Sequence, residues 1–239
     1  YEIRNYAKYL IASENTAWAT FPYDYYINAI THSILPEELA PLIAENYIQS
    51  LPSTYAGTIA VYDLSYADNI VAQTNALANA LIFSQEDTTV REQIGEAYLL
   101  SQKVDYDSNG EIVSEREGYV DLYDFVLHID DLVTVPDVTL AAQTLLSTLN
   151  SEGLFLFEEH QSGQWDMDNA HGLTVYLPFG EELYIGSECT EVTTDPCATN
   201  NDANCVKLRD FYTTITPPQT IQLAFTQNTN WDEFVNGFI

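Results

Sequence analysis

Residues 57–83 read GTIAVYDLSYADNIVAQTNALANALIF. The run from Thr58 to Tyr62 is apolar and rich in β-branched residues, the pattern of a strand buried on both faces. Asp63 or Ser65 follows as a cap. Ile70, Val71, Thr74, Leu77, Ala78 and Leu81 then recur at helical spacing, which predicts a long helix with one buried face. Strand, short turn and helix in that order predict an α/β fold in which helices flank a largely parallel central sheet.

Working outward, PEELAPLIAENYIQSL predicts a helix that starts at Pro36, carries Glu37 and Glu38 in its first turn, and buries Leu39, Ile43 and Tyr47. Downstream, Leu122, Phe125, Val126 and Ile129 make a further helical stripe, and TLAAQTLLSTLN predicts another helix. LFLFEEH and GLTVYLPF are short, aromatic and β-branched, and predict strands. The closing NTNWDEFVNGFI predicts a short helix with Trp231, Phe234 and Val235 turned inward. No repeat or linker divides the chain, so residues 1–239 are expected to form part of one domain, with a cysteine-containing polar loop at about 180–206.

At the front, YEIRNYAKYLIASE places Ile3, Tyr6, Ala7 and Leu10 at helical spacing, which predicts an amphipathic helix with no capping residue ahead of it. The expectation is a chain that enters its domain midway, with the N-terminal part of the fold lying elsewhere.

Charge bounds the partners. The 36 acidic and 7 basic residues give a formal net charge of −29, and no Lys or Arg occurs between Glu117 and Val206. Nucleic acid and anionic membrane surfaces repel such a chain. No apolar run approaches the ~20 residues that span a bilayer, so no membrane insertion is expected. An acidic, soluble surface suits a secreted or extracellular protein. Cys189, Cys197 and Cys205 lie in a Thr/Asn/Asp-rich stretch and fit a disulfide-stapled loop better than a zinc site, whose cysteines pair at two- to four-residue spacing.

Two motifs could carry chemistry. In DYDSNGEIVSERE, Asp105, Asp107 and Asn109 alternate ahead of Gly110 as in the front half of a calcium loop, but Arg116 stands where the closing carboxylate belongs. A polar turn and a Ca2+ site are both compatible with that spacing. His32, His128, His160 and His171 have no cysteine or G-x-S-x-G serine nearby in sequence, so no nucleophile and base can be paired. His160 and His171 flank strands and are expected to hold structural hydrogen bonds.

Several segments in order resemble the clostripain-like cysteine peptidases, relatives of caspases and gingipains. YEIRNYAKYLIASE is similar to a family segment of the form YELRDYADYLVASE, and TFPYDYYINAI, PEELAPLIAENYIQS, TIAVYDLSYADNIV, GYVDLYDFV, HGLTVYLP and NTNWDEFV follow in the family's order. The resemblance implies a caspase-like fold and a secreted cysteine endopeptidase that cleaves after Arg or Lys. It also implies that the histidine and cysteine dyad precedes Tyr1, so no catalytic residue carries over onto this chain. By the same resemblance Ser13, Glu14 and Tyr23 stand at or beside the substrate pocket, in a loop where Thr20 and Phe21 replace the family's Gly and Trp. The expected partners are a basic peptide substrate and the N-terminal part of the same domain, or a processed companion chain. The alternative is a catalytically silent extracellular structural or assembly subunit of the same fold.

Overall fold

The computed structural model describes residues 1–15, 17–30, 33–104, 118–177, 184–185, 206–207 and 223–238. The strand predicted at Thr58 is β2 (Gly57–Asp63), buried along almost its whole length. Its two faces do different work, as the period of two requires. Ile59 and Val61 pack with Ala44, Tyr47 and Ile48 of α2 (Pro36–Ser50), whereas Ala60 and Tyr62 join Leu64 in a cluster on the opposite face. Asp63 ends the strand: its Oδ1 accepts from Ser65 N at 2.9 Å, fixing a single 3-10 turn that leads into α3 (Ala67–Ser84). The helix buries Val71, Thr74, Leu77, Ala78 and Leu81, with Ile70 packed at the edge.

β2 is the central strand of a three-stranded sheet. β1 (Tyr9–Ala12) lies on one side with Tyr9 opposite Asp63, and β3 and later strands are reached only after two more helices. Those helices are α3 and α4 (Thr88–Leu100), the latter capped by Asp87 Oδ1 on Thr89 N. β3 (Tyr119–Asp121) runs directly into α5 (Leu122–Leu132), which is followed by α6 (Pro136–Leu149). β4 (Phe155–Gln161) then takes the free side of β2, with Gly57 opposite Gln161. β5 (Thr174–Tyr176) pairs with β3, and the short β6 (Tyr184–Ile185) with β7 (Val206–Lys207). The chain closes with α7 (Ala224–Asn228) and α8 (Trp231–Phe238).

Two expectations change. Every strand pairing among the described residues is antiparallel, so the largely parallel sheet is not what these strands form. The β2–turn–α3 order does set up layers, but the strand that follows the helices does not return to lie beside β2; β1 and β4 take its two sides instead. The front of the chain is not a helix either. Tyr1–Ala7 make isolated turns, with Tyr6 N bonded to Ile3 O, and Tyr6 is 89% exposed. A stretch this short cannot hold a helix without tertiary support, and pairing of Tyr9–Ala12 with β2 supplies more bonds than a further helical turn.

The main core lies between α3, α4, α5, α6 and α8, where Leu77, Ile94, Phe125, Ile129, Leu145 and Trp231 are buried. Trp231 Nε1 donates to Tyr176 O at 2.8 Å, which ties the last helix to β5. Lys103, 3% exposed, spends its charge on the carbonyls of Tyr98 and Ser101 at the end of α4. No helix among the described residues is long and apolar enough to cross a membrane.

Candidate substrate-binding site

A cavity of about 460 Å3 opens between β1, the start of α3 and β5. Leu10, Ala12, Leu64, Val71, Leu173 and Val175 give it apolar walls. Ser13 and Glu14, the two residues after β1, close one end.

The position of that end is set by the central strand. Thr58 Oγ1 lies 3.1 Å from Ser13 Oγ and accepts from Glu14 N at 2.9 Å and from Asn15 N at 3.3 Å, while Ser13 Oγ donates to Asn15 O. One buried hydroxyl therefore holds three consecutive residues against β2. Glu14 as a residue is half-buried, but its carboxyl end is deep. Oε2 accepts from Gly172 N at 2.9 Å, and Oε1 is buried without a donor. Gly172 is suited to this place because its φ is +88° and a Cβ would stand 2.8 Å from Phe155 Cε1. Its carbonyl accepts from the Tyr62 hydroxyl.

Behind Glu14 stands Asp121, fully buried at the junction of β3 and α5. It caps α5, with Oδ1 accepting from Asp124 N at 2.7 Å, and Oδ2 accepts from His171 N at 2.7 Å. Glu14 and Asp121 are two acids buried close to one another, where the negative charge of Asp121 disfavours ionisation of Glu14. Burial, then the charge of Asp121, drives Glu14 well above the usual carboxylate range. Burial likewise pushes Asp121 up to about 6, against the pull of Glu14 and the two backbone donors. At the rim, His171 Nδ1 is 3.7 Å from Glu158 Oε1 and its ring meets Tyr123 at 4.5 Å. The neighbouring Glu158 carboxylate raises the imidazole above its ordinary value despite partial burial.

These shifts fix the pH dependence of stability. In the unfolded chain Glu14 and Asp121 lose their protons near pH 4; folded, the pair keeps one to above that range, so stability falls as pH rises from about 4 through 6. Asp232, raised to about 6 by burial and by Glu233, acts in the same direction. His171 also contributes stability that is present at low pH and lost as pH rises through its raised value. The thermal midpoint is expected to be higher at pH 5 than at pH 7.5, with a shallower fall in Glu14→Gln. A midpoint that climbs over this range would contradict the upward shift of these buried acids.

Of the expected pocket residues, Ser13 and Glu14 come together in the cavity wall. Tyr23 does not: it begins α1 (Tyr23–Ala29), is 65% exposed, and contacts Phe21 and Tyr26. Asp121, Glu158 and Gly172 were not singled out by sequence reading. The readable signals are a carboxylate at a strand-to-helix junction in YVDLYDF and the His-Gly pair ahead of a strand. His171, expected to hold a structural hydrogen bond, does so through its backbone N–H. Asp105, Asp107 and Asn109 lie outside the described residues, as do Cys189, Cys197 and Cys205. Among the described residues no group of three or more His, Cys, Asp or Glu is arranged to hold a metal ion.

The model of the clostripain family, Peptidase C11, matches residues 1–237. The chain belongs to this family. Solved clostripain-family structures with which it shares likeness include a clostripain from Bacteroides thetaiotaomicron in complex with a peptide inhibitor, at 20% identity, a TM-score of 0.46, and 73% of this chain covering 70% of that one. An inactive zymogen C11 protease from Parabacteroides distasonis matches at 16% identity and a TM-score of 0.49, over 74% of this chain and 47% of that one. A secreted C11 cysteine protease from Bacteroides thetaiotaomicron matches at 22% identity and a TM-score of 0.46, over 73% of this chain and 44% of that one. The chain thus spans less than half the length of the latter two. No curated protein matches it.

Proposed function

We propose that this chain is the scaffold and substrate-pocket portion of a secreted clostripain-like cysteine endopeptidase that cleaves after Arg or Lys, completed by a segment that carries the histidine and cysteine dyad outside these 239 residues. Membership of the clostripain family supports the reaction class. The observation that supports the specificity is a cavity with largely apolar walls that is lined by the acids Glu2, Glu14 and Asp63 and by no basic residue. Apolar walls take the methylene stem of a long basic side chain, and a carboxylate at the end takes its charge. The net charge of −29 adds a long-range attraction for basic peptides. The cavity also lies between β1 and β5, each hydrogen-bonded along one side only among the described residues, which suits an extended segment of the completing part of the domain. The chemistry then follows from an imidazole beside a thiol, which raises the thiolate population, and from backbone N–H groups that stabilise the oxyanion.

The test is cleavage of Arg and Lys reporter peptides by this chain together with its completing segment. Cleavage that stops on thiol alkylation, with KM for the Arg reporter raised at least tenfold in Glu14→Gln, is the expected result. An inert complete protein would favour the silent subunit, for which the exposed Tyr23, Tyr25, Ile27 and Ile30 around α1 offer a contact surface.

A further inference from the structure

We infer that one extended, apolar segment of the completing part of the domain fills the slot between β1 and β5, adding as a strand to the outer edge of β1 and meeting β5 at Thr174. This rests on the proposal that a segment outside these 239 residues completes the enzyme, and not on the specificity assigned to the cavity.

Backbone parity identifies the groups that such a strand would meet. In an antiparallel ladder, opposed residues alternate between pairs that exchange both hydrogen bonds and pairs whose N–H and C=O point away from the partner strand. Leu64 N donates to Lys8 O at 2.8 Å, so Lys8–Leu64, Leu10–Tyr62 and Ala12–Ala60 are the bonded pairs. Tyr9 and Ile11 therefore turn their backbone groups away from β2, and among the described residues these groups have no partner.

The edge of β5 follows the same rule. Leu122 N donates to Leu173 O at 2.7 Å and Leu177 N to Gly118 O at 2.8 Å, which makes Leu173, Val175 and Leu177 the residues bonded toward β3. Gly172, Thr174 and Tyr176 face the other way. Gly172 meets the first sheet directly, its N–H donating to Glu14 Oε2 and its carbonyl accepting from the Tyr62 hydroxyl. The Tyr176 carbonyl is taken by Trp231 Nε1. Between them, the N–H and C=O of Thr174 have no partner among the described residues. The two outer edges thus open on one cavity, which Leu10, Ala12, Thr174 and Val175 all line.

The walls state the chemistry of the occupant. Val71, Thr74, Leu122, Leu154 and Val175 line the cavity and are buried, so a segment laid against them becomes a layer of the core. The end at Ser13 and Glu14 lies past Ala12 and is left to substrate. Glu2, Glu14 and Asp63 line the cavity and no basic residue does, which disfavours acids in the incoming strand. Strand addition gives affinity through main-chain bonds and selects alternate side chains by the wall they meet; those turned toward Val71 and Leu122 are apolar.

The experiment is amide hydrogen exchange, read by NMR, on the 239-residue chain alone and on the complete enzyme. In the chain alone, Tyr9, Ile11 and Thr174 should exchange at least about 100-fold faster than Leu10 and Ala12; in the complete enzyme these three should slow by about that factor. Ile11→Pro and Thr174→Pro remove only an outward N–H, so the chain alone should melt close to Ile11→Ala and Thr174→Ala. Retention of the completing segment should nonetheless fall at least about tenfold against those alanine variants. Should the proline variants unfold, the exchange contrast in the unaltered protein decides. Fast exchange of the three amides in the complete enzyme would overturn the insertion, as would slow exchange in the dilute chain alone. Protection that appears in the chain alone as its concentration rises would assign the edges to a second copy, and would overturn it too. Cleavage of Arg and Lys reporters with the three amides still fast would leave the peptidase reading standing without the insertion. An inert complete protein with all three protected would do the reverse.

Discussion

Trp231→Ala is expected to lower stability by about 3 to 5 kcal/mol, the range for truncating a fully buried aromatic. The indole is 0% exposed, packs edge-on against Phe125 at 6.2 Å and Phe234 at 5.3 Å, and donates to Tyr176 O. Truncation removes that hydrogen bond and opens a cavity where α8 meets α3 and α5. The effect should spread beyond α8, because Tyr176 belongs to β5, whose leading residues hold the site. Urea unfolding would show the loss as a lower midpoint. Trp231→Phe, which keeps the ring packing and loses the hydrogen bond, should recover more than half of it. A cost below 1 kcal/mol for Trp231→Ala would mean that α8 is not part of the core.

Asp121→Ala is the second large effect, at about 3 kcal/mol or more. The carboxylate caps α5 and accepts from His171 N, so removal strands two buried N–H groups, each worth about 1 to 3 kcal/mol, and deletes an N-cap. Asp121→Asn should recover only part of that loss, because its single amide oxygen can accept from Asp124 N or from His171 N but not from both. Denaturation of both variants at pH 5 and 7.5 checks the contrast. A small loss in Asn beside a large one in Ala would show that packing, and not the pair of acceptors, is what Asp121 supplies.

The strand and helix elements around Thr58 were legible because burial and period agreed: β2, the Asp63 cap and the buried face of α3 all follow from residues 57–81. The α5 stripe and the inward Trp231, Phe234 and Val235 are legible for the same reason. The front was misread because Ile3, Tyr6, Ala7 and Leu10 satisfy a helical period by composition alone, while the pairing that decides the segment involves residues 48 to 54 positions away. Strand direction was misread because local order fixes layers and leaves neighbours open. The site divides in the same way. Glu14 came from a family likeness, whereas Asp121, Glu158, His171 and Gly172 meet it only through contacts across 107 to 158 positions, such as Gly172 N to Glu14 Oε2. In a chain with 36 acids, no spacing rule marks the two that are buried near one another.

Thr58 has a consequence for how this protein can diversify. Its hydroxyl grips Ser13, Glu14 and Asn15 from the middle strand of the sheet, so the anchoring carboxyl takes its aim from the most rigid element nearby. The connection that continues toward Phe21 is then released from that duty. If the cavity receives a basic side chain as proposed, the length and side chains of that connection can vary and alter which neighbouring residues are accepted, while Glu14 stays where the sheet puts it.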